Sequence, residues 1–271
     1  MRFPEYTRVI YDRNPLEQVI TQLRFPAILK IDSALPADFQ ERIRSRYPDF
    51  LERPPADDAI NIPQELKANL PQEFLKAMGL DIQPASAKQG YEFISEDKAW
   101  KVVLTRDFLA LSTQRYTTWE DFSDRLNAPR QALTDCYGPV YYSRIGLRYR
   151  DVIRRSVLDL KGVPWTQLLK PHVAGMLASE VASHVKHTAS VALIDLEDGR
   201  GQVRIRHTLA LLKNPDEECY VIDADFFTDR KTEVGDAIQR LDYFNREAGR
   251  LFKWCINDRL HSAMGPRIPG V

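Results

Sequence analysis

Residues 140–153 carry the pattern that most restricts how this chain can fold. Arg144, Gly146, Arg148 and Arg150 fall on alternate positions, and Ile145, Leu147 and Tyr149 fall between them. Side chains of a β-strand alternate between its two faces, whereas helix neighbours recur every three or four residues. The spacing therefore predicts a strand with three arginines on one face, Arg154 extending the row, and an apolar opposite face. Such a strand belongs in an antiparallel sheet with one wet face and one face against a core. The arginine row is either an anion-binding surface or the solvated side of that sheet.

The rest of the chain supplies the partners. Residues 18–25 alternate as well, with Val19, Thr21, Leu23 and Phe25 on one face and Arg24 on the other, and Pro26 ends the strand. A helix is expected over 36–47, where Phe39, Ile43 and Tyr47 are spaced by four. Six prolines between 48 and 90 argue against long regular elements there. That insert reads as a connection with a helical piece near 64–78. Residues 91–95, 99–106 and 108–115 read as a meander. Thr118 then caps a helix, Asp121 stands three residues on, Pro129 should kink or split it, and Gly138-Pro139 ends it.

The second half repeats the order. Residues 164–178 look helical, strands follow near 183–196, 202–212 and 219–227, and a long helix occupies about 233–259. The fold class is therefore α+β: an antiparallel or mixed sheet with helices packed on one face and a long C-terminal helix; the order of elements allows a duplicated βββα unit, although the residues of the two halves do not align. The working division is 1–155, a β-rich half carrying the proline-rich insert 48–90, and 156–271. In the last helix Val234, Ala237, Leu241, Phe244, Ala248, Leu251 and Cys255 step by three and four. This 234–255 seam covers the chain's own sheet or, in part, a homodimer contact.

Bulk composition narrows the function. The 271 residues suffice for a sizeable core, and 38 basic against 38 acidic residues leave no net charge for a dedicated nucleic-acid coat. The three scattered cysteines suit a reducing compartment, the N-terminus has no apolar signal region, and apolar runs are too short to span a bilayer. A soluble cytoplasmic protein is expected.

Motifs for chemistry are scarce. No phosphate-cradling glycine loop or nucleophile elbow occurs. Asp223 and Asp225 resemble a divalent-cation pair, but a hairpin of 202–212 with 219–227 supplies cross-strand arginine partners instead. Keeping the apolar faces aligned favours Arg206 opposite Asp225 and Thr208 opposite Asp223. His184 and His187 would share a metal on a helix but diverge on a strand. His207 falls on the core side of its strand and reads as a satisfied core histidine. His172 and His261 carry no spacing signal, and Asp198–Gly201 reads as a hairpin turn. No catalytic residue, metal ligand or cofactor site is assigned. The candidate anion- or partner-binding residues are Arg24, Arg144, Arg148, Arg150, Arg204 and Arg206, which fall on the polar faces of three strands. Guanidinium groups bind phosphate and carboxylate bidentately.

The stretch Asn14-Pro15-Leu16-Glu17-Gln18-Val19-Ile20-Thr21-Gln22-Leu23-Arg24-Phe25-Pro26, taken with Arg144-Ile145-Gly146-Leu147-Arg148-Tyr149, resembles a sporadically distributed bacterial family of conserved hypothetical proteins. Glu17-Gln18 departs slightly from the family's pattern. The resemblance covers most of the chain and implies a bacterial cytoplasmic protein. It supplies no reaction, cofactor or catalytic residue.

The sequence favours a non-enzymatic binding or interaction module that holds a protein or anionic partner on its arginine-bearing sheet face. The alternative is a phosphodiester-directed enzyme or a nucleic-acid-binding, defence-associated accessory protein, and a third option is a structural homodimer. An enzyme would need Arg148 in a cleft beside a histidine, tyrosine or aspartate.

Overall fold

The computed structural model describes residues 3–53, 90–212 and 217–269. The helical piece expected near 64–78 lies outside them. Eleven strands are present among the described residues: β1 (Ile10–Tyr11), β2 (Leu16–Arg24), β3 (Asp49–Arg53), β4 (Gly90–Ile94), β5 (Trp100–Thr105), β6 (Phe108–Thr113), β7 (Arg144–Arg154), β8 (Thr188–Asp195), β9 (Gln202–Leu212), β10 (Glu217–Thr228) and β11 (Pro266–Arg267). The helices are α1 (Lys30–Ser33), α2 (Ala37–Ile43), α3 (Trp119–Tyr137), α4 (Pro171–Ala174), α5 (Ala237–Cys255) and α6 (Asp258–Ala263).

Nine strands form one antiparallel sheet in the order β3-β4-β5-β6-β2-β7-β10-β9-β8, and β1 pairs with β11 separately. The order shows how the chain repeats itself. In the first half β2 leads, a meander follows, its last strand β6 returns to pair with β2, and α3 comes next. In the second half β7 leads, β8 to β10 follow, β10 returns to pair with β7, and α5 comes next. The two leading strands meet antiparallel at the centre, so a single sheet runs through both halves. The first half adds β3 at its edge. That strand, at 49–53, forms inside the stretch expected to be only a connection, by pairing with β4.

Alternation decides which face is covered. Val19, Leu23, Leu109, Leu111, Ile145, Leu147, Ile205, Ile222 and Phe226 share one side and are all but inaccessible to water. The helices pack there, as an α+β layer arrangement requires. Ala237, Leu241, Phe244, Leu251 and Cys255 of α5 are fully buried against this chain's own core. Five of the seven residues of the apolar seam expected over 234–255 are therefore covered by this chain's own core.

Helix α3 corrects one expectation and explains the correction. Thr118 caps it by accepting the Asp121 N–H at 3.3 Å, and Gly138 ends it at φ 54°. Pro129 nevertheless neither splits nor ends the helix, which runs for 19 residues. Proline lacks the N–H that would bond the carbonyl four residues earlier, which is that of Arg125. The Tyr47 hydroxyl donates to the Arg125 carbonyl at 3.2 Å and takes that place. Tyr47→Phe is expected to cost about 1 kcal/mol, read as a lowered urea midpoint at unchanged slope. An unchanged midpoint would show that the carbonyl is satisfied otherwise.

Other expectations move by small amounts. Residues 164–178 form two short 3₁₀ turns around α4 rather than one helix. The C-terminal helix stops at Cys255, and α6 follows separately. The β9–β10 register pairs Asp223 with Arg206 and Asp225 with Arg204, two residues away from the expected pairing. A two-residue shift preserves the faces, so the alternation could not discriminate between the registers.

Candidate functional site

The six arginines are all on the uncovered face of the sheet, as alternation requires, but all except Arg24 meet carboxylates there. Arg148 grips Asp223 with two donors, Nε to Oδ1 at 2.7 Å and Nη2 to Oδ2. Arg206 stands 3.7 Å from the same carboxylate. Arg144 donates to Asp225 at 3.0 Å and to Gln22 at 3.3 Å, while Arg204 lies 4.0 Å from Asp225. The Arg144 and Arg204 guanidiniums also lie over the Phe227 ring. Glu17 takes both Arg154, at 2.9 Å, and Arg150, at 3.7 Å. Each buried or half-buried carboxylate thus holds two arginines. Hydrogen bonding to Asp223 raises the Arg148 pKa further. Arg24 is exposed and bonds only Gln22 at 3.2 Å among the described contacts. Gly146 has a steric role: a Cβ there would run into the Arg144 guanidinium, which folds back over the glycine.

The arrangement is an ion-pair lattice, with its counter-ions supplied by the protein itself. Arg148 does meet an aspartate, Asp223, as an ion pair on this sheet face. Tyr149 and Asp151, its neighbours, point through to the other face.

That other face carries an open cavity. A cavity of about 720 Å³ opens between the segment Tyr6–Tyr11, the start of α3, strand β7 and the helices α5 and α6. Six aromatic residues are in its lining, Tyr6, Tyr11, Tyr116, Trp119, Tyr149 and Phe252, together with charged residues such as Arg8, Glu120, Asp242 and Lys253. Most of their polar ends are held. The Tyr149 hydroxyl donates to Asn245 at 2.9 Å and also bonds the Tyr116 hydroxyl. Tyr11 shares a hydrogen bond with His261 Nδ1 at 2.8 Å, and the Trp119 indole donates to Asp242 at 2.6 Å. At the rim Arg8 pairs with Glu120 through two bonds of 2.6 and 2.7 Å, which drop Glu120 to about 2.

Asp151 also lines the cavity. It is 8% exposed, and no hydrogen bond or ion pair engages its carboxyl among the described residues. Burial, with a smaller contribution from the negative charge of Asp223, pushes its pKa up to about 8. Desolvation disfavours the charged form of any carboxyl, and here no donor or cation offsets it. Burial also lifts the tyrosines, Tyr116 to about 12 and Tyr149 well beyond its ordinary range, and lowers His261. Each of these shifts favours the neutral form of its side chain.

Local sequence explains why an aspartate sits there. Asp151 has the parity of Ile145, Leu147 and Tyr149, so the strand delivers it to the core side. Opposite it, β2 carries a bulge: Leu16 pairs with Asp151 and Gln18 with Arg150, which leaves Glu17 unpaired in the ladder. Bulges concentrate beside functional sites because they re-aim side chains. The Pro15 carbonyl accepts the Val152 N–H at 2.8 Å and fixes the strand at this point. Strands β2 and β7 are thus the paired central strands, and Asn14, Leu16, Tyr149 and Asp151 at one end of the pair line the cavity.

The remaining sequence candidates carry little. Among the described residues no group of histidine, cysteine and acidic side chains could hold a metal ion. His184 and His187 are exposed just before β8. His207 does face the core side, beside Tyr220, but its buried Nδ1 has no hydrogen-bond partner, so it is not the satisfied core histidine expected; burial takes its pKa down to about 4. Among the described residues no helix is long and apolar enough to cross a membrane.

No family model and no curated protein matches the chain. Among solved structures, the substrate-free duplicated taurocyamine kinase from Schistosoma mansoni is similar at a TM-score of 0.36 and 11% identity, covering 88% of this chain and 33% of that one. The same kinase with bound transition state analog components gives 0.36 and 10%, covering 94% and 36%. The chain spans about a third of the length of these structures, and at such a TM-score the likeness carries no conclusion about fold or activity.

Proposed function

We propose that this protein is a binding module whose site is the aromatic cavity above Asp151, not the arginine-bearing sheet face. One observation carries the reading: Asp151, 8% exposed as a residue, lines an open cavity with a carboxyl that makes no hydrogen bond or ion pair among the described residues. Buried polar groups are almost always hydrogen-bonded, and an exception asks for an explanation. A ligand that completes the carboxyl's bonding is one. The volume also falls within the roughly 300–1,000 Å³ of small-molecule sites, which are typically apolar with a few placed polar groups.

Gly249 of α5 lines the cavity, and a Cβ built there meets nothing within 4 Å. An open helical glycine is costly: Gly249→Ala should stabilise the protein by about 0.5–1 kcal/mol, seen as a raised denaturation midpoint. No gain would mean that the glycine backbone is needed at this position. A larger residue should fill the cavity mouth. Native mass spectrometry of the purified protein is expected to show a bound small molecule that Gly249→Trp loses and Arg148→Ala keeps. The reverse pattern, loss in Arg148→Ala alone, would return the site to the sheet face.

A further inference from the structure

Granting the cavity as the site, we infer that its ligand is an organic cation, a protonated amine on an apolar body, with the charge seated against Asp151. The lining sets this chemistry. Among the described residues the buried acid of the lining, Asp151, has no hydrogen bond or ion pair, and Tyr11, Tyr116, Tyr149 and Phe252 line the same cavity; aromatic rings attract a cation through the ring quadrupole. The cationic side chains of the rim are already engaged: Arg8 by Glu120, Arg250 by Glu247 and Glu5, and Lys253 by Asp258. Arg246 lines the rim too, but it is exposed to solvent. An anion would meet a buried carboxyl with no cation to offset it. A neutral ligand would leave the carboxyl in its protonated form and form no charge pair with it. An amine supplies both the missing counter-ion and donors to the empty carboxyl oxygens.

The groups that face Asp151 strengthen the assignment. Tyr11 comes from β1, Tyr149 from its own strand and Cys255 from α5, each held further toward its neutral form by burial and by the aspartate. Asp223 acts from the opposite side of the sheet and adds negative potential. Nothing in this set competes with an incoming cation for the carboxylate.

The test uses three probes of one shape: benzylammonium, benzyl alcohol and benzoate, titrated calorimetrically into the full chain and into Asp151→Asn. Benzylammonium is expected to bind best. Its affinity should rise on the order of tenfold or more from pH 6 to pH 8, because Asp151 must release its proton to form the pair. Asp151→Asn should abolish benzylammonium binding and spare the alcohol. Tighter binding of alcohol or benzoate, lost in Gly249→Trp, would overturn the cation and keep the cavity. Benzylammonium binding untouched by Asp151→Asn would also overturn the inference. Failure of all three probes at millimolar concentration would overturn both readings.

Discussion

Asp151→Asn should make the protein more stable at pH 8, by on the order of 5 kcal/mol, and almost unchanged at pH 4. The sign follows from proton counting. In the unfolded chain an aspartate loses its proton near the ordinary value of 3.8, whereas in the folded protein Asp151 keeps it until about pH 8. Between those values the folded state binds more protons, so stability falls as pH rises through the window and then levels off. Each unit of displacement is worth about 1.4 kcal/mol, which sets the size. Asparagine has nearly the same shape and does not titrate. Urea denaturation of both proteins at pH 4, 6 and 8 checks the expectation: the wild-type values should descend relative to those of the variant. Parallel values would mean that Asp151 has a partner or water access that keeps its pKa ordinary. The trade is a familiar one, since sites that await a ligand are held at a cost in stability.

The opening stretch of the sequence shows how much was legible. Alternation in Ser143–Asp151 correctly separated Arg144, Arg148 and Arg150 from Ile145, Leu147 and Tyr149, and the antiparallel sheet with helices on one face followed from it. The order of elements in the two halves was legible for the same reason, because period and capping are local signals. What alternation could not carry was register. Arg206 opposite Asp223 and Arg206 opposite Asp225 leave every apolar side chain on the same face, so only the folded hairpin discriminates. The site was missed on a narrower point. Asp151 belongs by parity to the apolar face, but nothing local announces the β2 bulge at Glu17 or the return of Tyr6–Tyr11 and α5 over it. A polar residue on the apolar parity of a strand was the available signal. The arginines drew attention because charge is conspicuous in a sequence, whereas the carboxylates that neutralise them come from β2 and β10, the two strands flanking β7 in the sheet.

Asp223→Ala should destabilise the protein by about 3 kcal/mol, more than any single arginine of the same lattice. Its carboxylate side chain is 10% exposed and receives two donors from Arg148, with Arg206 close by. Breaking a buried pair from one side strands the other charge, at roughly 3–5 kcal/mol, and here two guanidiniums lose their counter-ion together. Arg148→Ala should cost less. Its side chain is 37% exposed and can be replaced by water, and Arg206 remains beside the aspartate. The exposed Arg8–Glu120 pair, at 51% and 62%, sets the baseline: Glu120→Ala should cost no more than about 1 kcal/mol. Chemical denaturation of the singles and of Asp223→Ala/Arg148→Ala gives the coupling between the partners, expected to be large and favourable. The ranking decides what the arginine face is. If Asp223 outranks Arg148 and both outrank Glu120, the lattice is internal neutralisation that holds β7, β9 and β10 together. If Asp223→Ala is harmless and the variant gains affinity for polyanions, the aspartates instead mask an anion-binding surface, and the sheet face competes again with the cavity as the working site.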